Sequence, residues 1–153
     1  MKMSQLLSPQ LIQIGIDGSS KETVIQSLIA ILENNGLVSD PEQAFLDVMD
    51  RELQQSTGLE KGLAVPHGKS TAVKKLVGAL AVSKEGIDYA SLDGEPSHLF
   101  FILIAPPNMA GPHVMALANI AQLARSEAFR SKLAAASSPE DAYRIIKEAE
   151  MGD

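Results

Sequence analysis

The 153-residue sequence contains no cysteine and no tryptophan, and only 4% of its residues are aromatic. Without cysteine there are no disulfides, thiolate metal sites or cysteine nucleophiles, a usage that fits a reducing cytosol. Scarce aromatics leave the core to aliphatic side chains, which the 45% hydrophobic content supplies. A positive balance is missing too. Thirteen Lys and Arg against nineteen Asp and Glu give a formal charge of -6. No basic stripe is present, which argues against nucleic acid as the main partner, because a phosphate backbone selects clustered cations. Long apolar runs are also lacking. The longest, "LFFILIAPP", falls far short of the ~20 residues a membrane-spanning helix needs. The opening "MKMSQLLSPQLIQIG" is interrupted at Pro9 and Gln10, so no signal peptide is predicted. The expectation is an acidic, cytoplasmic protein with one domain over residues 1–153.

What is present is strongly patterned. In "SSKETVIQSLIAILENNG", Ser19 with Glu22 three positions on reads as a capping box. Val24, Ile25, Leu28, Ile29, Ile31 and Leu32 recur at helical spacing, and Gly36 supplies the stop. A second helix opens at Asp40 and Pro41, predicted to bury Phe45, Leu46, Met49 and Leu53. Two runs of about eight residues, Leu76 to Ser83 and His98 to Ala105, read as strands. The second is apolar on both parities and so belongs in the middle of a sheet covered on both faces. "GLAVP" is a shorter strand of the same kind, and "DYASLDGEP" reads as a loop or hairpin excursion. The last third is helical. Pro112 is expected at the first helical position, with Val114, Leu117, Ala118 and Ala121 on the buried face. Ser138 and Pro139 open the final helix. This order predicts an α/β or α+β sandwich, a single mixed β-sheet flanked by helices. A regular doubly wound parallel sheet is disfavoured, because consecutive strands lack helices between them.

Three histidines are available for chemistry. His98, opening an apolar strand, reads as a structural residue at the strand's polar mouth. His113 falls in the first turn of a helix, where free N–H groups and the positive dipole end attract anions and disfavour a charged imidazole. Taken alone, it reads as an exposed helix-start residue. His67 stands at the end of a short strand between Pro66, which fixes the chain's approach, and Gly68, which permits close backbone contact. Ser70 and Thr71 add small donors nearby. An imidazole held so is largely neutral near pH 7 and can act as a nucleophile. A structural cap explains the same spacing about equally well. Arg51 and Glu52 close the second helix, either as an exposed pair or with Arg51 clamping an anion. Ser56, Thr57 and Gly58 offer small donors on the loop leading to His67. No pair of histidines has ligand spacing, which argues against a metal site.

The ordered set "SKETVIQSLIAIL", "DREL", "STGLEKGLAVPHGKS" and "HLFFILIAPPNMAGPHVMALANIAQLAR" resembles the fructose/mannitol-type enzyme IIA domain of the bacterial phosphoenolpyruvate:sugar phosphotransferase system. The resemblance runs from about Leu6 to the last helix. It implies an α/β sandwich and a transiently phosphorylated His67, with Arg51 at the phosphoryl group and His113 against the active histidine. Ser56, Thr57, Gly58 and the amides beside Gly68 would assist. It further implies HPr as phosphoryl donor, a sugar-specific enzyme IIB as acceptor on a cysteine, and neither a cofactor nor a metal ion. A partner face would ring His67, with Leu63, Val65 and Met109 as apolar members. The nitrogen-type regulatory branch shares the "PHG" block and is the alternative role; a degenerate scaffold is disfavoured by the joint presence of Arg51, His67 and His113. One departure stands out: family members often carry a glycine/asparagine turn where this chain has Leu59, Glu60 and Lys61.

Overall fold

The computed structural model describes residues 2–16, 18, 20–59 and 61–152. A short helix α1 (Met3–Leu6) and a 3-10 turn (Pro9–Leu11) lead into β1 (Ile12–Ile14). Helices α2 (Lys21–Asn34) and α3 (Pro41–Gln54) follow, then β2 (Leu63–Ala64), β3 (His67–Lys69), β4 (Val77–Ile87) and β5 (Ser97–Ala105). The chain closes with α4 (Ala110–Leu123), α5 (Glu127–Ala134) and α6 (Pro139–Met151).

The sheet is single and mixed, ordered β1-β4-β5-β2, with β3 also on β5. β4 and β5 are antiparallel, whereas β1 runs parallel to β4 and both β2 and β3 run parallel to β5. Every residue of β5 from Leu99 to Ala105 is buried, so both faces are covered, as its two-parity apolar run requires. Helices α2 and α3 pack together and against β3, β4 and β5, while α4, α5 and α6 pack on β5, β4 and β1. The predicted sandwich is what the chain adopts.

Local details differ in instructive ways. The expected cap Ser19 lies outside the described residues; α2 is capped by Ser20, whose hydroxyl accepts from Thr23 N, in a box closed by Thr23 rather than Glu22. Asp40 and Ser138 cap α3 and α6 as predicted. The buried stripe of α3 is Ala44, Val48, Met49 and Glu52, whereas Leu46 and Leu53 are 55% and 79% exposed and Phe45 is half-buried. Large side chains suggested one face; a buried ion pair at Glu52 selects the other. Helix α4 starts at Ala110, ahead of Pro112, and buries His113, Ala116, Ile120 and Leu123. Val114, Ala118 and Ala121 face outward, and Leu117 is half-buried. Finally, "GLAVP" is paired only at Leu63 and Ala64, and pairing resumes beyond the proline. His67 therefore begins a strand rather than ending one.

Candidate functional site

His67 pairs with Leu103 of β5 and is half-buried. Its Nδ1 lies 2.7 Å from Val65 O. A carbonyl can only accept, so Nδ1 carries the proton and Nε2 holds the free lone pair of the neutral ring. The ring is fixed and its tautomer chosen by a backbone two residues earlier. Burial lowers the His67 pKa, reinforced by the nearby Arg51 charge and opposed by the Val65 hydrogen bond and Glu52. The imidazole is thus neutral and nucleophilic at pH 7.

Ladder bonds run from Leu103 N to Pro66 O and from Ser70 N to Ala105 O. The alternation turns the Gly68 backbone toward β5 and the His67 and Lys69 amides away from it. A Cβ on Gly68 would stand 3.4 Å from both Asp47 O and Val48 Cα, in van der Waals contact, so α3 lies directly on β3 at this point. That closeness brings the end of α3, with Arg51, beside His67. Ser70, by contrast, is a buried turn residue accepting from Ala72 N at 3.1 Å, and Thr71 is exposed.

His113 comes from the other side. It sits in the first turn of α4, only 6% exposed, with its ring centroid 5.4 Å from that of His67 and the planes 68° apart. Its Nε2 is buried with no hydrogen-bond partner among the described residues. Burial, then the proximity of His67 and of Lys69, depress its pKa to about 4. It is not the exposed helix-start residue that its position alone suggested. His98 is structural, as its strand-mouth position predicted: its Nδ1 donates to Ser83 O at 2.9 Å.

Beside His67 and Arg51 lies a cavity of about 230 Å³, lined by these two residues, by Ser56 and Thr57, and by aliphatic side chains including Leu63, Val65, Leu92 and Leu117. Arg51 is half-buried and donates from Nη1 to Gln55 O at 3.0 Å. On the following loop, Ser56 Oγ accepts from Lys21 Nζ and from Gly58 N, both at 3.1 Å. Thr57 donates its N–H and its hydroxyl to Glu52. The Thr57 and Gly58 amides are therefore already engaged, and the Ser56 hydroxyl proton is the uncommitted donor of the three. Leu63 and Val65, expected on a partner face, are buried and line this cavity. The exposed apolar side chains lining it are Leu59 and Leu92, whereas the exposed Val114 and Met115 of α4 line a separate hollow with Ala110, Gly111 and Pro112.

Four contributors were not singled out from sequence: Glu52 as a buried acid, Lys21, Tyr89 and Lys69. Glu52 is 3% exposed, not the surface partner of Arg51 that adjacency suggested. Lys21 occupies the first turn of α2, where a cation opposes the helix dipole; that misfit was the available signal of a specific partner. The departure at residues 59–61 is also accounted for in part. Glu60 lies outside the described residues, but Lys61 adopts φ 63°, a left-handed conformation, and donates from its N–H to Asp93 at 3.1 Å. A non-glycine residue thus holds a left-handed conformation here, at a cost of about 1 kcal/mol.

The family described as phosphoenolpyruvate-dependent sugar phosphotransferase system, EIIA 2, matches residues 5–149. The chain belongs to this family. The EIIA domain is 34% identical over 148 residues to the fructose-specific EIIABC component of Bacillus subtilis, covering 97% of this chain but 23% of that protein. It is 33% identical over 147 residues to a nitrogen regulatory protein of Bradyrhizobium diazoefficiens, covering 95% of each. The crystal structure of the nitrogen regulatory protein IIA-Ntr from Neisseria meningitidis superposes with a TM-score of 0.85 at 29% identity, covering 94% of this chain and 98% of that one. Sugar-transport and nitrogen-regulatory relatives are thus both near. Among the described residues of the EIIA domain, no helix is long and apolar enough to cross a membrane.

Proposed function

We propose that the EIIA domain is a phosphoryl carrier in which His67 accepts phosphate from phospho-HPr and passes it to an enzyme IIB. The observation that supports this most directly is the fixed tautomer of His67, with Nδ1–H bound to Val65 O and Nε2 unprotonated beside Arg51. In the transfer, the Nε2 lone pair of His67 attacks phosphorus in line. A new N–P bond forms while the N–P bond to the donor imidazole breaks, its electrons returning to that ring. Such transfers depend on position and on charge stabilisation of the equatorial oxygens rather than on covalent help. Arg51 supplies the charge, and the Ser56 hydroxyl and the His67 and Lys69 amides supply neutral donors. The buried Nε2 of His113 gains in a phosphoryl oxygen the partner it lacks, carrying the proton in that tautomer.

The whole of residues 1–153 acts as one such cytoplasmic domain, with HPr and IIB meeting it at the His67 cavity and its exposed apolar residues Leu59 and Leu92. The joining of EIIA with B and C components in the fructose-specific relative supports IIB as the acceptor. The full-length match to a nitrogen regulatory protein favours a second reading, in which the phosphorylation state of His67 signals to protein partners. The test is incubation with enzyme I, HPr and labelled phosphoenolpyruvate, then addition of IIB. Acid-labile label on the wild type that is absent from His67→Ala and discharged by IIB is the expected result. Label on His67→Ala overturns the site, and retention of label with every IIB tried favours the regulatory role.

A further inference from the structure

Beside the cavity lies a buried charge that the transfer itself does not use. Glu52 follows Arg51 on α3 and collects donors from three other segments. Thr57 N–H reaches one carboxylate oxygen at 2.6 Å, with Lys21 Nζ on the same oxygen at 3.0 Å. The other oxygen takes the Thr57 hydroxyl and the Tyr89 hydroxyl, the latter at 3.0 Å. Burial opposes ionisation of Glu52, but the Thr57 and Lys21 contacts outweigh it and hold its pKa below the usual carboxylate value. Tyr89 is fully buried, and burial pushes its phenol pKa far up, so it stays a donor.

We propose that Glu52 is a positioning residue for phosphoryl transfer, tying the 55–58 segment to the end of α3 so that Arg51 presents its guanidinium to His67. The inference rests on His67 being the phosphoryl acceptor. Two adjacent side chains grip the same short segment, Arg51 through Gln55 O and Glu52 through Thr57. The grip extends further, since Lys21 holds Ser56 Oγ and Gly58 O accepts from Leu92 N at 2.9 Å. Gln55, Ser56, Thr57 and Leu92 all line the cavity with Arg51 and His67. Movement of Thr57 off the carboxylate carries Gln55 O with it, and Gln55 O is the contact that orients Arg51. A well-packed apolar residue stabilises a core as well as a buried ion pair does, so what the charge adds is direction. It fixes α2, the 56–58 loop and Tyr89 to one point next to the reacting ring.

The test compares wild type, Glu52→Gln, Thr57→Val and Thr57→Ser as full chains in the enzyme I, HPr and labelled phosphoenolpyruvate system. Misplacing a group by about 1 Å costs up to ~100-fold in rate. Glu52→Gln, which keeps the shape but not the charge, should therefore be labelled roughly 10- to 100-fold more slowly at saturating phospho-HPr. The half-saturating donor concentration should stay within about 3-fold, because the docking rim is intact. The Arg51 Nε–H resonance should shift or broaden in the unphosphorylated protein, a readout independent of transfer. Thr57→Val should show the same defects in milder form and carries the test if Glu52→Gln does not fold; Thr57→Ser, which keeps the hydroxyl that Glu52 accepts from, should show a smaller defect than Thr57→Val. A folded Glu52→Gln or Thr57→Val with wild-type rate and unmoved Arg51 resonance overturns the proposal. His67→Ala separates the two readings. Label on His67→Ala removes the acceptor assignment, whereas an unlabelled His67→Ala beside a wild-type-like Glu52→Gln removes only the role of Glu52.

Discussion

Replacing His113 by glutamine should remove a specific acid sensitivity from the EIIA domain. In the folded chain its imidazole has a pKa of about 4, against 6.5 for a free histidine, because it is buried and lies near His67 and Lys69. The unfolded chain therefore binds a proton at His113 between pH 6.5 and about 4 that the folded chain refuses. Stability rises with pH wherever the unfolded state holds more protons, so this contribution is complete above about pH 6.5 and is lost as pH falls toward 4. At ~1.4 kcal/mol per pH unit the full loss is about 3 kcal/mol, of which about 2 kcal/mol is gone by pH 5. Urea unfolding at pH 7 and pH 5 measures it, with His113→Gln as the reference that cancels the titration of carboxylates. The wild type should lose about 2 kcal/mol more than the variant over that interval. Parallel losses in both proteins would refute the reasoning, as would a His113 ring resonance that titrates near 6.5.

Arg51→Lys should slow phosphoryl acceptance by about 10- to 100-fold without changing unfolding, because an ammonium lacks the planar fork; stopped labelling and urea curves check both halves. Gly58→Ala should destabilise the chain by about 1–3 kcal/mol in urea unfolding, since a Cβ there would lie 2.5 Å from Ser91 Oγ and 2.8 Å from Tyr89 Cδ1. Leu53→Ser should change stability by less than about 0.5 kcal/mol, whereas Val48→Ala should cost about 1–2 kcal/mol. The reverse ranking would return the apolar stripe of α3 to Leu46 and Leu53.

Much of this was readable from sequence where one physical signal dominated. The two-parity run ending in Ala105 identified a doubly covered strand, and Asp40 with Pro41 marked a helix start that Gln43 N confirms. Helix orientation was less legible. In α3 the buried face holds Ala44 and Glu52 beside Val48 and Met49, and in α4 it holds His113 and Ala116 beside Ile120 and Leu123. Of the side chains expected inside in these two helices only Met49 is buried, while Leu46, Leu53 and Val114 face out. Arg51, His67 and His113 were named together through the family resemblance, but their convergence depends on contacts remote in sequence. The closeness of α3 to β3 over Gly68 and the 5.4 Å approach of the two rings are tertiary facts. The Glu52 cluster was invisible because its partners, Lys21, Thr57 and Tyr89, come from separate segments of the chain.

The central claim is that His67 carries the phosphoryl group on the nitrogen left free by Val65. Long-range ¹H–¹⁵N correlation on the chain phosphorylated through enzyme I and HPr reads this directly. A single phosphorylated ring at His67, bonded at Nε2 with Nδ1 still protonated, is the predicted result. Phosphate at Nδ1 of His67, or on His98 or His113, would contradict it.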